Sequence, residues 1–269
     1  MFQYTILDQV KRPFVIYKNI FENKYCLDPQ RGNISKHSMV ISLPRSGVHL
    51  IQDILTTIGL THVRVSHTLD SIQDYRFLTD TDRINFSRMH DTYTFPINET
   101  YKWVINGQFV HNHLPYDDTT YCLLRESEYS MYILKRNLRD CIVSHAKHKM
   151  CLSNTSYNMS KIMSEYIKMP YYLEISEMTK IMLPWFENKT FDELTYETLV
   201  GLNGKDKQYQ QIMRLLEDFN ITNIQSDEII NKCINKKNFT DWKTCWSDEI
   251  EKWFDKIGLL NLNRLLGYS

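Results

Sequence analysis

The sequence predicts an α/β fold with a mostly parallel sheet and helices on both faces. Short apolar or β-branched runs of strand length alternate with longer stretches of helical periodicity. An apolar run at 39–43 passes through a tight turn straight into an amphipathic stretch, and 130–150 repeats that strand–turn–helix joint. A chain of 269 residues can bury roughly three quarters of its unfolded surface, enough for such a core without metal or disulfide staples.

In chain order, strands are expected at 38–43, 102–105, 108–112, 130–135 and 190–194. Helices are expected at 46–58, 118–126, 138–150, 157–168, 172–187, 206–219 and 248–257. Segment 66–100 is polar and rich in Asp, Thr and Arg, which suits a lid or a loop-rich insertion. The C-terminal third reads as helical with no linker, so residues 1–269 are expected to form a single domain.

Composition narrows the function. Lys plus Arg and Asp plus Glu both number 32, and the neutral balance disfavours a general nucleic-acid binder. No apolar run approaches 18 residues, so no membrane span is expected. The first eight residues lack a basic region followed by an apolar one, so no secretory signal is expected, and the expected compartment is cytoplasmic. Cys26, Cys122, Cys141, Cys151, Cys233 and Cys245 are scattered with no C-x-x-C pair. They read as free thiols of a reducing compartment, with no metal site.

The segment 39–55 carries the clearest chemistry. Its strand ends in Pro44-Arg45-Ser46-Gly47 and a helix follows at once. A turn at that junction aims backbone N–H groups at one point, beside the helix dipole, and so favours a phosphate-like anion. Gly47 permits close approach of the backbone, and Arg45 adds a fixed charge. The nucleoside-triphosphatase signature G-x-x-x-x-G-K-[ST] is absent. At the second joint, the strand ends on Arg136 at the carboxyl edge of the sheet. Asp140, Ser144 and His148 follow at i, i+4 and i+8 of the helix and share a face. Arg136 and Ser144 are thereby candidates for converging on one phosphate.

These residues resemble the sulfotransferase family that uses PAPS (3′-phosphoadenosine-5′-phosphosulfate). Pro44-Arg45-Ser46-Gly47 is similar to its P-K-S-G loop for the 5′-phosphosulfate, with Arg for Lys. Arg136-Asn137-Leu138-Arg139-Asp140 with Ser144 matches its R-N-x-x-D-x-x-x-S segment for the 3′-phosphate. Tyr196 stands in a Y-E-x-L context where the family has a Tyr near the adenine. Lys236-Lys237, followed by Asp241-Trp242-Lys243, resembles its basic C-terminal loop. The resemblance implies a P-loop-like three-layer sandwich. It also implies a cofactor site of Arg45, Ser46, Gly47, Val48, His49, Arg136, Ser144, Tyr196, Lys236 and Lys237, with PAPS as donor, PAP (adenosine 3′,5′-bisphosphate) as product and no metal. Leu50 replaces the family's adenine-stacking Trp, Val48 and His49 replace hydroxyl residues, and the C-terminal loop lacks the family's Arg and Gly.

A base is needed for transfer to an alcohol, and a histidine with a pKa near neutrality suits that role. Val110-His111-Asn112-His113-Leu114-Pro115 resembles the family's K-T-H-L-P, which implies His113 as base and His111 in place of a supporting Lys. His49, Asp91 and His111 are the alternatives for the base.

The expected activity is therefore in-line transfer of the sulfuryl group to a hydroxyl or amine of a small-molecule or carbohydrate acceptor. A catalytically inactive PAP-binding homologue and a P-loop small-molecule kinase are the competing readings, the second lacking its Lys-Ser/Thr and magnesium ligand. Tyr75, Phe77, Phe86, Tyr93, Phe95, Tyr116, Tyr157 and Tyr166 are candidate acceptor walls. Oligomeric state is left open, a homodimer being one option.

Overall fold

The structure is a computed structural model that describes residues 34–63, 65–69, 73–74, 93–150, 158–235 and 241–269. Its centre is strand β1, Ser38–Ser42, buried along its whole length. Such a strand, apolar on both faces, belongs in the middle of a parallel sheet covered on both sides. The neighbours follow that logic: β2 (Thr61–His62), β6 (Gln108–Asn112), β7 (Ser130–Lys135) and β8 (Asp192–Thr195) complete a five-stranded sheet ordered β2-β6-β1-β7-β8. Every pairing in it is parallel. A separate small sheet orders β3 (Val65–Thr68), β5 (Tyr93–Pro96) and β4 (Gln73–Asp74) as β3-β5-β4. With the helical turn Ile97–Thr100 it makes up nearly all of the described part of the polar segment 66–100.

Side-chain alternation splits the core into two layers. Met39, Ile41, Val110, Met131 and Ile133 point to one face, beneath helices Leu138–Met150, Met159–Tyr166, Tyr172–Glu187, Asp248–Lys256 and Leu259–Leu265. Val40, Phe109, Tyr132, Leu134 and Leu194 point to the other, beneath helices Val48–Thr57 and Lys205–Asp218 and the helical turns of Ser226–Ile234. This is the three-layer arrangement expected from the sequence.

Local chemistry fixes the ends of these helices. Asp117 accepts from Thr120 N at 2.8 Å to start the helix Asp118–Arg125, and Asn158 accepts from Lys161 N at 3.1 Å to start Met159–Tyr166. The helix Leu138–Met150 has Asp140 in its first turn and Lys147, His148 and Lys149 in its last, matching the helix dipole at both ends.

One expected strand is corrected. Residues 102–105 do not join the sheet. Tyr101–Trp103 is a turn of 3₁₀ helix, Val104 N bonds Tyr101 O, and Gln108 N bonds Ile105 O around Gly107 at φ +78°. The apolar pair Val104-Ile105 is spent between two turns. Val104 alone reaches the core, and Ile105 is left exposed.

Candidate functional site

The three central strands β6, β1 and β7 end side by side, and the residues singled out from the sequence leave from those ends. Ile41 lies opposite both Asn112 and Ile133. Residues 43–47, 113 and 136 therefore emerge at one carboxyl edge, where parallel α/β sheets collect ligands.

The loop after β1 is a tight turn. Ser46 N bonds Leu43 O at 3.2 Å, and Ser46 Oγ donates to the same carbonyl at 2.7 Å. Arg45 sits in the left-handed region at φ +66°, a conformation that costs a non-glycine residue on the order of 1 kcal/mol. Gly47, at φ +104°, precedes the helix, and Leu50 N and Ile51 N make the first bonds to its carbonyl. The N–H groups of Val48 and His49 lie ahead of those bonds, in the position that suits an anion. Gly47 has a second reason to be glycine: a Cβ there would stand 2.3 Å and 2.7 Å from ring atoms of Tyr196.

Tyr196 thus packs directly on the loop, and it also meets Arg136, whose guanidinium lies 3.9 Å from the ring centroid. Arg136 is buried, with Nη1 donating to Arg45 O at 3.4 Å and Nη2 3.8 Å from Asp140 Oδ1. Its Nε is buried and makes no hydrogen bond among the described residues. A buried guanidinium N–H without an acceptor is costly and fits a site built to receive one. Burial pushes the Asp140 carboxyl up to about 6, partly offset by Arg136 and by the N–H of Trp242 at 3.2 Å.

Ser144 is brought to the site, but the cation it touches is Arg45: Nε donates to Ser144 Oγ at 3.3 Å and an Nη to Ser144 O at 3.4 Å. Arg45 therefore bridges the two joints. The helix start at 137–139 is occupied by protein groups. Asn137 N bonds Glu197 Oε1 at 2.9 Å, Leu138 N bonds Asn263 Oδ1 at 2.7 Å, and Tyr268 OH donates to Glu197 Oε2 at 2.8 Å. Arg139 forms a bidentate pair with Glu251 at 3.0 Å and 2.6 Å, and donates to Ser269 O at 2.7 Å. It faces the C-terminal helices. Nothing in the sequence marks Glu251 or Asn263 for these pairings, because partners 112 and 125 residues apart leave no local pattern.

His113 follows β6 directly. Its Nδ1 lies 2.6 Å from Ser42 O and 3.3 Å from Ser42 Oγ. A carbonyl only accepts, so Nδ1 carries the proton and Nε2 keeps a bare lone pair. The turn that presents the ring is pinned to the helix Tyr172–Glu187: Trp185 Nε1 donates to Leu114 O and Tyr116 N to Ile181 O, both at 2.9 Å. Burial lowers the His113 pKa, the Ser42 carbonyl acts against that, and Arg45 lowers it further. At neutral pH the ring is an unprotonated base. His111 is held well below its ordinary value by burial and then by His62, His113 and His49. It supplies hydrogen bonds, not charge, at neutral pH.

Lys236, Lys237 and Asp91 lie outside the described residues, as do Tyr75, Phe77, Phe86 and Tyr157. Tyr166 is a core residue and not an acceptor wall: it is fully buried and its hydroxyl is 2.7 Å from His145 Nδ1. Among the described residues no group of three or more His, Cys, Asp or Glu side chains could hold a metal ion, and no helix is long and apolar enough to cross a membrane.

No family model matches the sequence, and no curated protein matches it. Solved structures do. The chain is similar to retinol dehydratase in complex with androsterone and inactive cofactor PAP, at 15% identity and a TM-score of 0.44, over 91% of this chain and 85% of that one. It is similar to a mouse sulfotransferase complexed with PAP, at 12% identity and a TM-score of 0.45, over 87% and 88%. A sulfotransferase from Alicyclobacillus acidocaldarius is similar at 11% identity and a TM-score of 0.43, over 87% and 96%.

Proposed function

We propose that the chain is a PAPS-dependent sulfotransferase whose cofactor lies across the carboxyl edge of β6, β1 and β7. The observation that carries the reading is the buried Arg136 Nε with no acceptor among the described residues, set beside the anion-favouring loop 43–47, with an unprotonated histidine one strand beyond that loop. When bound, PAPS supplies a sulfuryl group whose bond to the 5′-phosphate is broken as the acceptor oxygen attacks the sulfur in line.

The chain's own residues have separate tasks. Loop N–H groups of Gly47, Val48 and His49 surround the 5′ end, Ser46 holds the turn that presents them through its bonds to Leu43 O, and Arg45 balances the charge that develops there. Arg136 takes the 3′-phosphate, with Tyr196 stacked on the same guanidinium. Ser144 holds Arg45 in place through its hydroxyl and carbonyl, and in this reading its hydroxyl also contacts the 3′-phosphate. Lys236 and Lys237 add loose contacts in this reading. His113 Nε2 takes the acceptor proton, its ring fixed by the Ser42 carbonyl. The acceptor is a small molecule or a carbohydrate, and the chain acts as one cytoplasmic domain.

Calorimetric titration with PAP and with ATP tests the binding half. PAP should bind and ATP should not, and equal binding of PAP and adenosine 5′-phosphosulfate would remove the 3′-phosphate site. Labelled PAPS with an acceptor panel tests the catalytic half, and PAP binding with no turnover on any acceptor would leave an inactive homologue.

A further inference from the structure

Beside the proposed base lies a cluster of histidines around one glutamine. Gln52 Nε2, from the helix Val48–Thr57, is 2.6 Å from His111 Nδ1 and 3.3 Å from His62 Nε2. Those two ring nitrogens are 3.1 Å from each other, and their rings stack at 5.1 Å. On the outer side of the amide, Gln52 Oε1 is 3.1 Å from His49 Nδ1. His49 is the second residue after Gly47, and His111 meets His113 edge to face at 6.4 Å. The cluster therefore borders both the anion loop and the base.

A hydrogen count shows what this cage can hold. With the amide nitrogen inward, His62 Nε2 and His111 Nδ1 share one hydrogen bond at 3.1 Å, so one carries the proton and the other accepts it. Gln52 Nε2 donates to the accepting ring, His49 Nδ1–H donates to Oε1, and the cluster is neutral. A half turn of the amide places Oε1 inward, where its two lone pairs accept from His111 Nδ1–H and His62 Nε2–H, while His49 accepts from the outward N–H. The two ends of the amide are nearly the same size, so the half turn needs no repacking. The inward pair of ring nitrogens can then carry two protons in place of one, with His49 in its other tautomer, so the cage can take up a proton with its inward hydrogen bonds kept.

We propose that this histidine cluster is a proton-uptake site coupled to anion binding in the adjacent loop 43–47: filling the loop draws a proton onto His111. The inference rests on the reading that the loop takes PAP or PAPS. It supplies, on binding, the positive charge that the resembling family pattern carries as a lysine at this position. The groups that face His111 are His62 from β2, His49 and Gln52 from the helix, and His113 from its own strand. Asp53 lies on the helix, and Arg45 on the loop acts on His113. Burial and three neighbouring imidazoles keep the ring unprotonated before binding, and a bound anion acts with the opposite sign. The proton is shared by the coupled pair, not owned by one ring.

The test is titration of the full chain with PAP in buffers of different ionisation enthalpy, which counts protons taken up per PAP. Asp140 borders the same site with a carboxyl at about 6, so the count is also made in Asp140→Asn. Wild type and Asp140→Asn should both take up a fraction of a proton, on the order of half, near pH 7. His62→Phe, which keeps the stacking on Phe109, and Gln52→Leu should bind PAP with uptake near zero. PAP binding without uptake in Asp140→Asn, or uptake unchanged in both cluster variants, overturns this inference alone. Failure of wild type to bind PAP overturns the proposed function and this inference with it.

Discussion

The guanidinium of Arg136 stacks on Tyr196 at 3.9 Å, and the same tyrosine ring rests against Gly47 of the anion loop. One aromatic side chain thus sets the distance between the two joints that the sequence marks as phosphate sites. Stacking is worth about 1–2 kcal/mol for a desolvated arginine, and it leaves the edge of the guanidinium free to hydrogen-bond.

Gly47→Ala should be among the most damaging small substitutions. The new Cβ would meet Tyr196 at 2.3 Å and force a left-handed φ of +104° on alanine. A loss of about 2–4 kcal/mol in denaturant unfolding is expected. Gly47→Ala combined with Tyr196→Ala should recover the steric part only, and full recovery would show that backbone strain contributes nothing.

Arg136→Ala should weaken PAP binding by on the order of 2–4 kcal/mol, the worth of a charge-assisted contact in a buried site. Arg136→Lys should restore the charge and not the fork, so calorimetry should place it between the two.

His113→Ala should cut turnover by roughly 10²–10⁴-fold with PAP affinity nearly unchanged. The acidic limb of the pH–rate profile should vanish, because protonation of Nε2 is what removes the base. Since burial lowers this pKa, the limb in the wild type should lie below the ordinary histidine range. A limb that persists in the variant would move the base to another residue.

Arg139→Gln should act on stability and not on turnover per folded molecule. It breaks the bidentate pair with Glu251 and the bond to Ser269 O, and about 2–3 kcal/mol is expected because Arg139 is buried while Glu251 is partly exposed. Melting curves and activity normalised to folded protein separate the two effects.

Asp140 gives a pH prediction of definite sign. Its carboxyl rises from 3.8 unfolded to about 6 folded, so the native state holds that proton more tightly. The stabilising contribution is full below pH about 4 and is lost as pH rises through about 6. Asp140→Asn, which keeps an acceptor for Trp242 N, should be more stable than wild type above pH 6, by about 2–3 kcal/mol. Equal stability of the two at pH 8 would show that Arg136 fully compensates the buried charge.

The parts of the fold that were legible in the sequence are those whose signal is local. The strand at Ser38–Ser42, its loop and its helix announce themselves by an apolar run, a turn and an amphipathic period within twenty residues, and the joint at 130–150 does the same. Val104-Ile105 misled because a two-residue apolar pair looks the same in a strand as in the gap between two turns. The strand Thr61–His62 is too short to carry a period, and with it went His62 and the cluster around Gln52. The distant partners of Leu138 and Arg139 were hidden because nothing near Asn263 or Glu251 says what they touch.

Those distant partners have a consequence for assembly. The loop that carries Arg136 is secured by Asn263, 125 residues further along, and Arg139 by Ser269, 130 residues on. A nascent chain halted at Gly258 would hold every strand of the central sheet and still lack the groups that tie down this loop. This loop therefore gains its ties only after the strands of the central sheet have been made. A ligand that recognises only the finished site would then act on folding yield as well as on stability.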